Sequence, residues 1–108
     1  MSENRFLWLG WRNDYVQAAV QTRAVDLAVF SGDPATADRF LDKIEEIIAT
    51  LERLPESGSP CPKAPGYRYC VIGQPAPGSP DVLVYSLDVE RGTLLGEGVF
   101  PFVPPRYR

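Results

Sequence analysis

Prolines and glycines divide this chain in two. Residues 1–54 contain one proline and two glycines, and residues 55–108 contain ten prolines and seven glycines. Proline has no backbone donor and its ring clashes with the preceding helical turn, so the second half is restricted to short strands between turns. Helices must come from the first half.

Residues 33–54 carry the clearest helical pattern. Ala37, Phe40, Leu41, Ile44, Ile47, Ile48, Leu51 and Leu54 recur three or four residues apart, which places them on one face. Asp33 can cap the start by accepting a backbone N–H, and Pro34 suits the first helical position. Pro55 stops the helix and Ser57-Gly58 turns the chain. The other face carries Asp38, Arg39, Asp42, Lys43, Glu45 and Glu46, a solvated surface. Residues 13–30 give a second, less regular helix. Asn13 or Asp14 caps it, and Val16, Ala19, Val20, Leu27 and Phe30 form its stripe, with a gap near Arg23. Gly32 ends it, and the short link predicts an antiparallel helical hairpin.

Before the hairpin, Arg5–Trp11 is apolar at successive positions, as in a covered strand, and alternation sends Trp8 and Trp11 to opposite faces. After it, strands are expected at Tyr67–Ile72, Val82–Val89 and Thr93–Phe102, the last broken by Gly96 and Gly98. Glu90-Arg91-Gly92 makes a tight hairpin, and Gln74–Pro80 a longer excursion. The expected fold is α+β in the order β-α-α-β-β-β, with a two-helix hairpin on a small antiparallel sheet. At 108 residues and 44% hydrophobic, residues 1–108 form one domain able to bury a core.

Histidine is absent. That excludes Ser-His-Asp and Cys-His catalysis, imidazole bases and His-containing zinc sites, and two cysteines cannot build a four-Cys site. No metal or cofactor is expected. The chain carries 11 basic and 14 acidic residues, net −3. Residues 1–54 hold six bases and nine acids, and residues 55–108 five of each, so a basic patch fits only in the second half. No run approaches the roughly 20 apolar residues of a membrane helix, and the first residues lack a secretory pattern. A cytoplasmic protein is expected, with Cys61 and Cys70 as free thiols, although a turn between them leaves a disulfide geometrically open.

The segment from Asp33 to Pro60 resembles the second helix and exit of the RelE/ParE superfamily of type II toxins, whose members show Asn-Pro, Ala-Ala, a Phe placed like Phe40, an Ile-rich face and Leu-x-x-x-Pro-x-x-Gly. Tyr67–Val71 resembles the strand that carries an Arg, here Arg68, and Leu83–Tyr85 the strand that closes on Tyr. Three features depart from the pattern. The Pro-Glu-Ala-like start of helix one is missing at Trp11–Asp14, Gln74–Pro80 is long, and the end reads Phe100–Arg108 instead of a His-x-Arg-like motif.

The resemblance implies a toxin that binds and inhibits a target protein, DNA gyrase in ParE-type members, and is neutralised by a cognate antitoxin. Its alternative is a RelE-like ribosome-dependent mRNA endoribonuclease. Without histidine, the groups available for phosphate chemistry are Arg68, Arg91, Arg106, Arg108, Lys63, Tyr69, Tyr85 and Tyr107. Arg68, Arg106 and Tyr107 are the catalytic candidates for that branch. Arg106-Tyr107-Arg108 combines cation and aromatic as a single-stranded nucleic-acid contact would, but as a terminal segment it reads first as a frayed, solubilising tail. Arg68 is expected on the open sheet face or in a cross-strand pair with Asp81, Asp88 or Glu90. The net negative charge opposes RNA binding, which draws most of its affinity from cation–phosphate attraction, and favours inhibition through protein contact. A third reading is a non-toxic interaction domain that docks a partner through the second helix or the proline-rich loop.

Overall fold

The computed structural model describes residues 5–73 and 81–108; the expected Gln74–Pro80 excursion lies outside the described residues. The elements are β1 (Leu7–Trp11), α1 (Asp14–Ser31), α2 (Ala35–Arg53), β2 (Ser59–Pro60), β3 (Tyr67–Gly73), β4 (Asp81–Asp88) and β5 (Thr93–Phe100). The helical hairpin lies on one face of a five-stranded sheet ordered β1-β5-β4-β3-β2. The α+β architecture holds, with two differences. β1 joins β5 in parallel, so the sheet is mixed, because the chain returns to the far edge after both helices. The second difference is β2, which sequence patterning did not give: two residues, one a proline, carry no alternation.

Both helices start and stop on local chemistry. The Asn13 carboxamide accepts the Val16 N–H at 2.9 Å, and Gly32 closes α1 in the left-handed conformation. Asp33 Oδ1 accepts the Ala35 N–H at 3.0 Å, and Pro34 already has helical dihedrals. That hydrogen bond, followed by Arg39, holds the exposed Asp33 carboxyl below its usual range.

The main core lies between hairpin and sheet. Phe40, Ile44 and Leu51 of α2 meet Val20, Ala24 and Leu27 of α1 over Ile72, Leu83, Tyr85 and Leu94. Full burial of one such side chain contributes about 1.5–3 kcal/mol. The gap at Arg23 has a cause. Its guanidinium reaches Asp81 at the start of β4 through two bonds of 2.6 and 2.8 Å, which places a charge within an otherwise apolar stripe. Ala19 and Phe30, expected in that stripe, face outward instead.

β1 also departs from simple alternation. Two residues of β1, Leu9 and Gly10, oppose one of β5, Leu95, between the Trp8–Leu94 and Trp11–Gly96 pairs, and Gly10 takes φ +106°. This bulge brings Trp8 and Trp11 to the same side, with rings edge-to-face at 5.5 Å, against the expectation of opposite faces. Gly96 makes room for them, since a Cβ there would clash with both indoles. The free edge of β1 is covered by the end of α2. The Glu52 carbonyl accepts the Phe6 N–H, and its carboxylate accepts the Trp8 N–H.

Candidate functional site

The sheet face away from the helices is where this fold can meet another molecule. Part of it is covered by the chain's own end. Tyr107 is buried with Cys61, Val82 and Val84, flanked by Tyr67, Tyr69, Phe100 and Val103. The turn Pro104–Tyr107, closed by a 2.9 Å bond from the Tyr107 N–H to the Pro104 carbonyl, aims the ring inward. Its ring lies 5.3 Å from that of Tyr67. The expectation of a frayed tail is therefore corrected for Tyr107: its ring is 7% exposed because the β-branched and aromatic residues of β3–β5 offer it an apolar bed. Arg106 stacks over the Tyr107 ring at 4.9 Å, and Arg108 lies 6.0 Å from Phe102.

Beside this patch sits a polar network. Glu97 is the extra residue of a second bulge, since β4 pairs Val84 with Gly98 and the next residue, Tyr85, with Gly96. The bulge turns the Glu97 carboxylate onto the open face, where it is nearly buried. Arg12, just after β1, grips it with Nε at 2.6 Å and Nη2 at 2.5 Å, and the Ser86 hydroxyl donates to it at 3.0 Å. The Arg12 guanidinium is held charged well above its ordinary value, first by the hydrogen bonds it donates to Glu97 and then by the charge of that carboxylate. With both oxygens engaged, Glu97 is a structural anion that ties β1, β4 and β5 together.

Toward the β4–β5 turn the face opens into a groove of about 610 Å³ bordered by Leu9, Pro65, Tyr67, Ser86, Asp88 and Arg91. Leu7 and Leu9 are more than half exposed at its β1 side. Asp88 and Arg91 sit 3.9 Å apart across the turn. An apolar groove whose charged residues are Asp88, Glu90 and Arg91, two acids to one base, suits protein contact better than a polyanion.

Arg68 is elsewhere. Positions 68, 70 and 72 of β3 face the hairpin, and Arg68 donates to the carbonyls of Glu56 and Gly58 at 3.1 and 2.6 Å. Neither expected placement, the open face or a pair with Asp81, Asp88 or Glu90, is found. The exit loop of α2 lies over that end of the sheet, and its carbonyls take the guanidinium. Asp81 is engaged by Arg23 instead. Arg106 and Tyr107 are thus together, and Arg68 is separated from them by the sheet. Tyr85, another residue available for phosphate chemistry, is wholly buried, donates to the Pro55 carbonyl at 2.7 Å and accepts the Gly58 N–H at 3.2 Å. Burial pushes its hydroxyl up to about 12.

Cys61 and Cys70 also lie on opposite faces, in separate clusters, and both are free. Burial raises both thiols above their ordinary value. Among the described residues, no helix is long and apolar enough to cross a membrane.

Residues 16–96 match the family model of the ParE toxin of the parDE type II toxin–antitoxin system. The match runs from the first helix through the sheet and covers well over half of the chain. The chain belongs to the ParE toxin family. No curated protein and no solved structure matches it. In this ParE-family chain the sequence left Arg12, Ser86 and Glu97 unmarked. The available signal was Gly96-Glu97-Gly98, a charge between glycines inside a strand, which marks a bulge that can re-aim a side chain. Its partner Arg12, 85 positions away, carried no local signal.

Proposed function

We propose that this chain is the toxin of a type II toxin–antitoxin pair, that it acts in the bacterial cytoplasm by binding and inhibiting a target protein, DNA gyrase, and that a cognate antitoxin neutralises it. The whole chain, residues 1–108, acts as one ParE-type domain. The carrying observation is the family match over residues 16–96. The site chemistry agrees in kind. The open face offers buried and half-buried aromatics, exposed Leu7 and Leu9, and an arginine whose charge is matched by Glu97. These are the materials of a protein interface.

The RelE-like alternative would need Arg68, Arg106 and Tyr107 around one phosphate. Arg68 faces the helices and Tyr107 is buried on the other side of the sheet, which weighs against that constellation. The test is a gyrase supercoiling assay with the purified chain, run beside mRNA in a translating extract. Inhibition of supercoiling with intact mRNA is expected. Codon-position cleavage of mRNA, lost in Arg68→Ala or Tyr107→Phe, would reject the proposal and restore the nuclease.

A further inference from the structure

Charge is sorted between the two sides of the sheet. Residues 14–56, which build the hairpin and its exit, hold nine acids and four bases. Residues 57–80 and 98–108 hold no acid, and they carry Lys63, Arg68, Arg106 and Arg108. Arg68 is taken up by the exit loop of α2. The other three are exposed, and among the described residues none of them pairs with an acid.

These three cations belong to the open face. Lys63 lies in the loop whose Cys61 and Ala64 pack with Tyr107, and Arg106 and Arg108 flank Tyr107 in sequence. The register sets Val71, Val82 and Phe100 in one row across β3, β4 and β5. Val71 in that row and Phe102, just past it, are each 57% exposed. The acids of this face are engaged or distant: Glu97 is held by Arg12, and Asp88 and Glu90 lie at the β4–β5 turn.

The two guanidinium groups rest on rings. Arg106 lies 4.9 Å from the Tyr107 ring and 5.8 Å from that of Phe100, and Arg108 lies 6.0 Å from Phe102. A ring that covers one side of each planar fork leaves its N–H edge for a bidentate acceptor. It also leaves less side-chain freedom to lose on binding.

We propose that this end of the open face docks an acidic segment of the inhibited protein, with carboxylates on Arg106, Arg108 and Lys63 and an apolar side chain over Phe102 and Val71. The tie to the inhibited protein rests on the toxin reading above; the charge and shape of the site do not. Three cations limit a nucleic acid to about three phosphate contacts, which weaken steeply as salt rises, and the acids of the hairpin oppose a longer polyanion. A peptide brings few charges and also covers the exposed apolar residues. A second copy reaches these cations only with its acidic hairpin. That contact joins unlike surfaces, so it propagates from copy to copy instead of ending at a pair.

The test uses the full chain and three fluorescein-labelled probes: the peptide Glu-Glu-Leu-Trp-Glu-Glu, its counterpart Gln-Gln-Leu-Trp-Gln-Gln, and a single-stranded oligothymidylate of the same charge as the first. Binding is read by fluorescence anisotropy at low and high salt. The Glu peptide binds about tenfold more tightly than either other probe, and salt narrows its lead over the Gln peptide. Arg106→Gln with Arg108→Gln removes that lead, and Phe102→Ser weakens both peptides about fivefold, while circular dichroism keeps the native signal. The same arginine variant needs about tenfold more chain to inhibit supercoiling. Arg39→Gln with Lys43→Gln, on the hairpin, changes neither readout. Tighter binding of the oligothymidylate would assign the surface to nucleic acid and overturn the proposal. Equal binding of the two peptides, binding of no probe, a folded arginine variant that keeps either the Glu preference or full inhibition, or a salt-sensitive polymer of the free chain in sedimentation would each overturn it too. A Glu preference in a chain that leaves supercoiling untouched would reject the gyrase reading and keep the acidic-segment site. Inhibition of supercoiling without that preference would keep the toxin reading and reject the site.

Discussion

α1 and α2 have 18 and 19 residues and are joined by one tight turn, yet their outer surfaces have opposite compositions. α2 separates its residues cleanly, with Phe40, Ile44 and Leu51 inside and Asp38, Asp42 and Glu45 outside. α1 buries Val20, Ala24 and Leu27 but also places Tyr15, Val25, Val29 and Phe30 outside. Solvent alone explains the outer surface of α2 and not that of α1. In a hairpin where both helices share one core, α2 finishes the domain, and α1 also leaves an apolar surface exposed.

The comparison breaks first at its two phenylalanines. Phe40→Ala, at a position with no exposure, should cost about 3–5 kcal/mol in urea denaturation. A loss below about 1 kcal/mol would mean that α2 is not the core helix. Next is the chain's end on the open sheet face: Tyr107→Ala should cost about 2–4 kcal/mol, because the ring fills a real cluster. A negligible change would return Arg106–Arg108 to the status of a loose tail.

Tyr85 ties the exit of α2 to the sheet, and Tyr85→Phe should cost about 1–3 kcal/mol by leaving the Pro55 carbonyl and Gly58 N–H without that partner. The same hydroxyl sets an alkaline limit. Its ordinary value of 10.0 rises to about 12 on folding, chiefly through burial. Between those values the folded chain holds a proton that the unfolded chain has released, so stability is full below pH 10 and falls as pH rises through 12. Stability against pH, followed by circular dichroism, should lose this alkaline arm in the Phe variant.

Smaller effects come from the caps and the outer face. Asn13→Ala removes the one side-chain bond to the Val16 N–H and should cost about 1 kcal/mol. Phe30→Ala, on the exposed side of α1, should change stability by less than about 0.5 kcal/mol. A large loss there would show that something in the free chain already covers that face.

How much was legible follows from the range of the forces involved. α2 was readable because its pattern, its cap at Asp33 and its stop at Pro55 are local. So were β3, β4 and the Glu90–Gly92 turn, within a residue or two. The parallel β1–β5 pair was not, since nothing near Leu7 records that Thr93 will lie beside it. Alternation misplaces Trp8 and Trp11 because it holds only in an unbulged strand, and the bulge at Gly10 breaks it. Arg68 was misplaced for a different reason: period two gave its face correctly relative to Cys70 and Ile72, but not which face the helices would cover. Glu97 and Arg12 form their bond only when both edges of β5 are in place.

The central claim, a ParE-type toxin acting through protein contact, is tested most directly by inducing the chain alone in a bacterium while following growth, plasmid topology and mRNA integrity together. Growth arrest with relaxed plasmid and intact mRNA is the predicted result. Unimpaired growth at high expression, or arrest with cleaved mRNA and normal supercoiling, would contradict it.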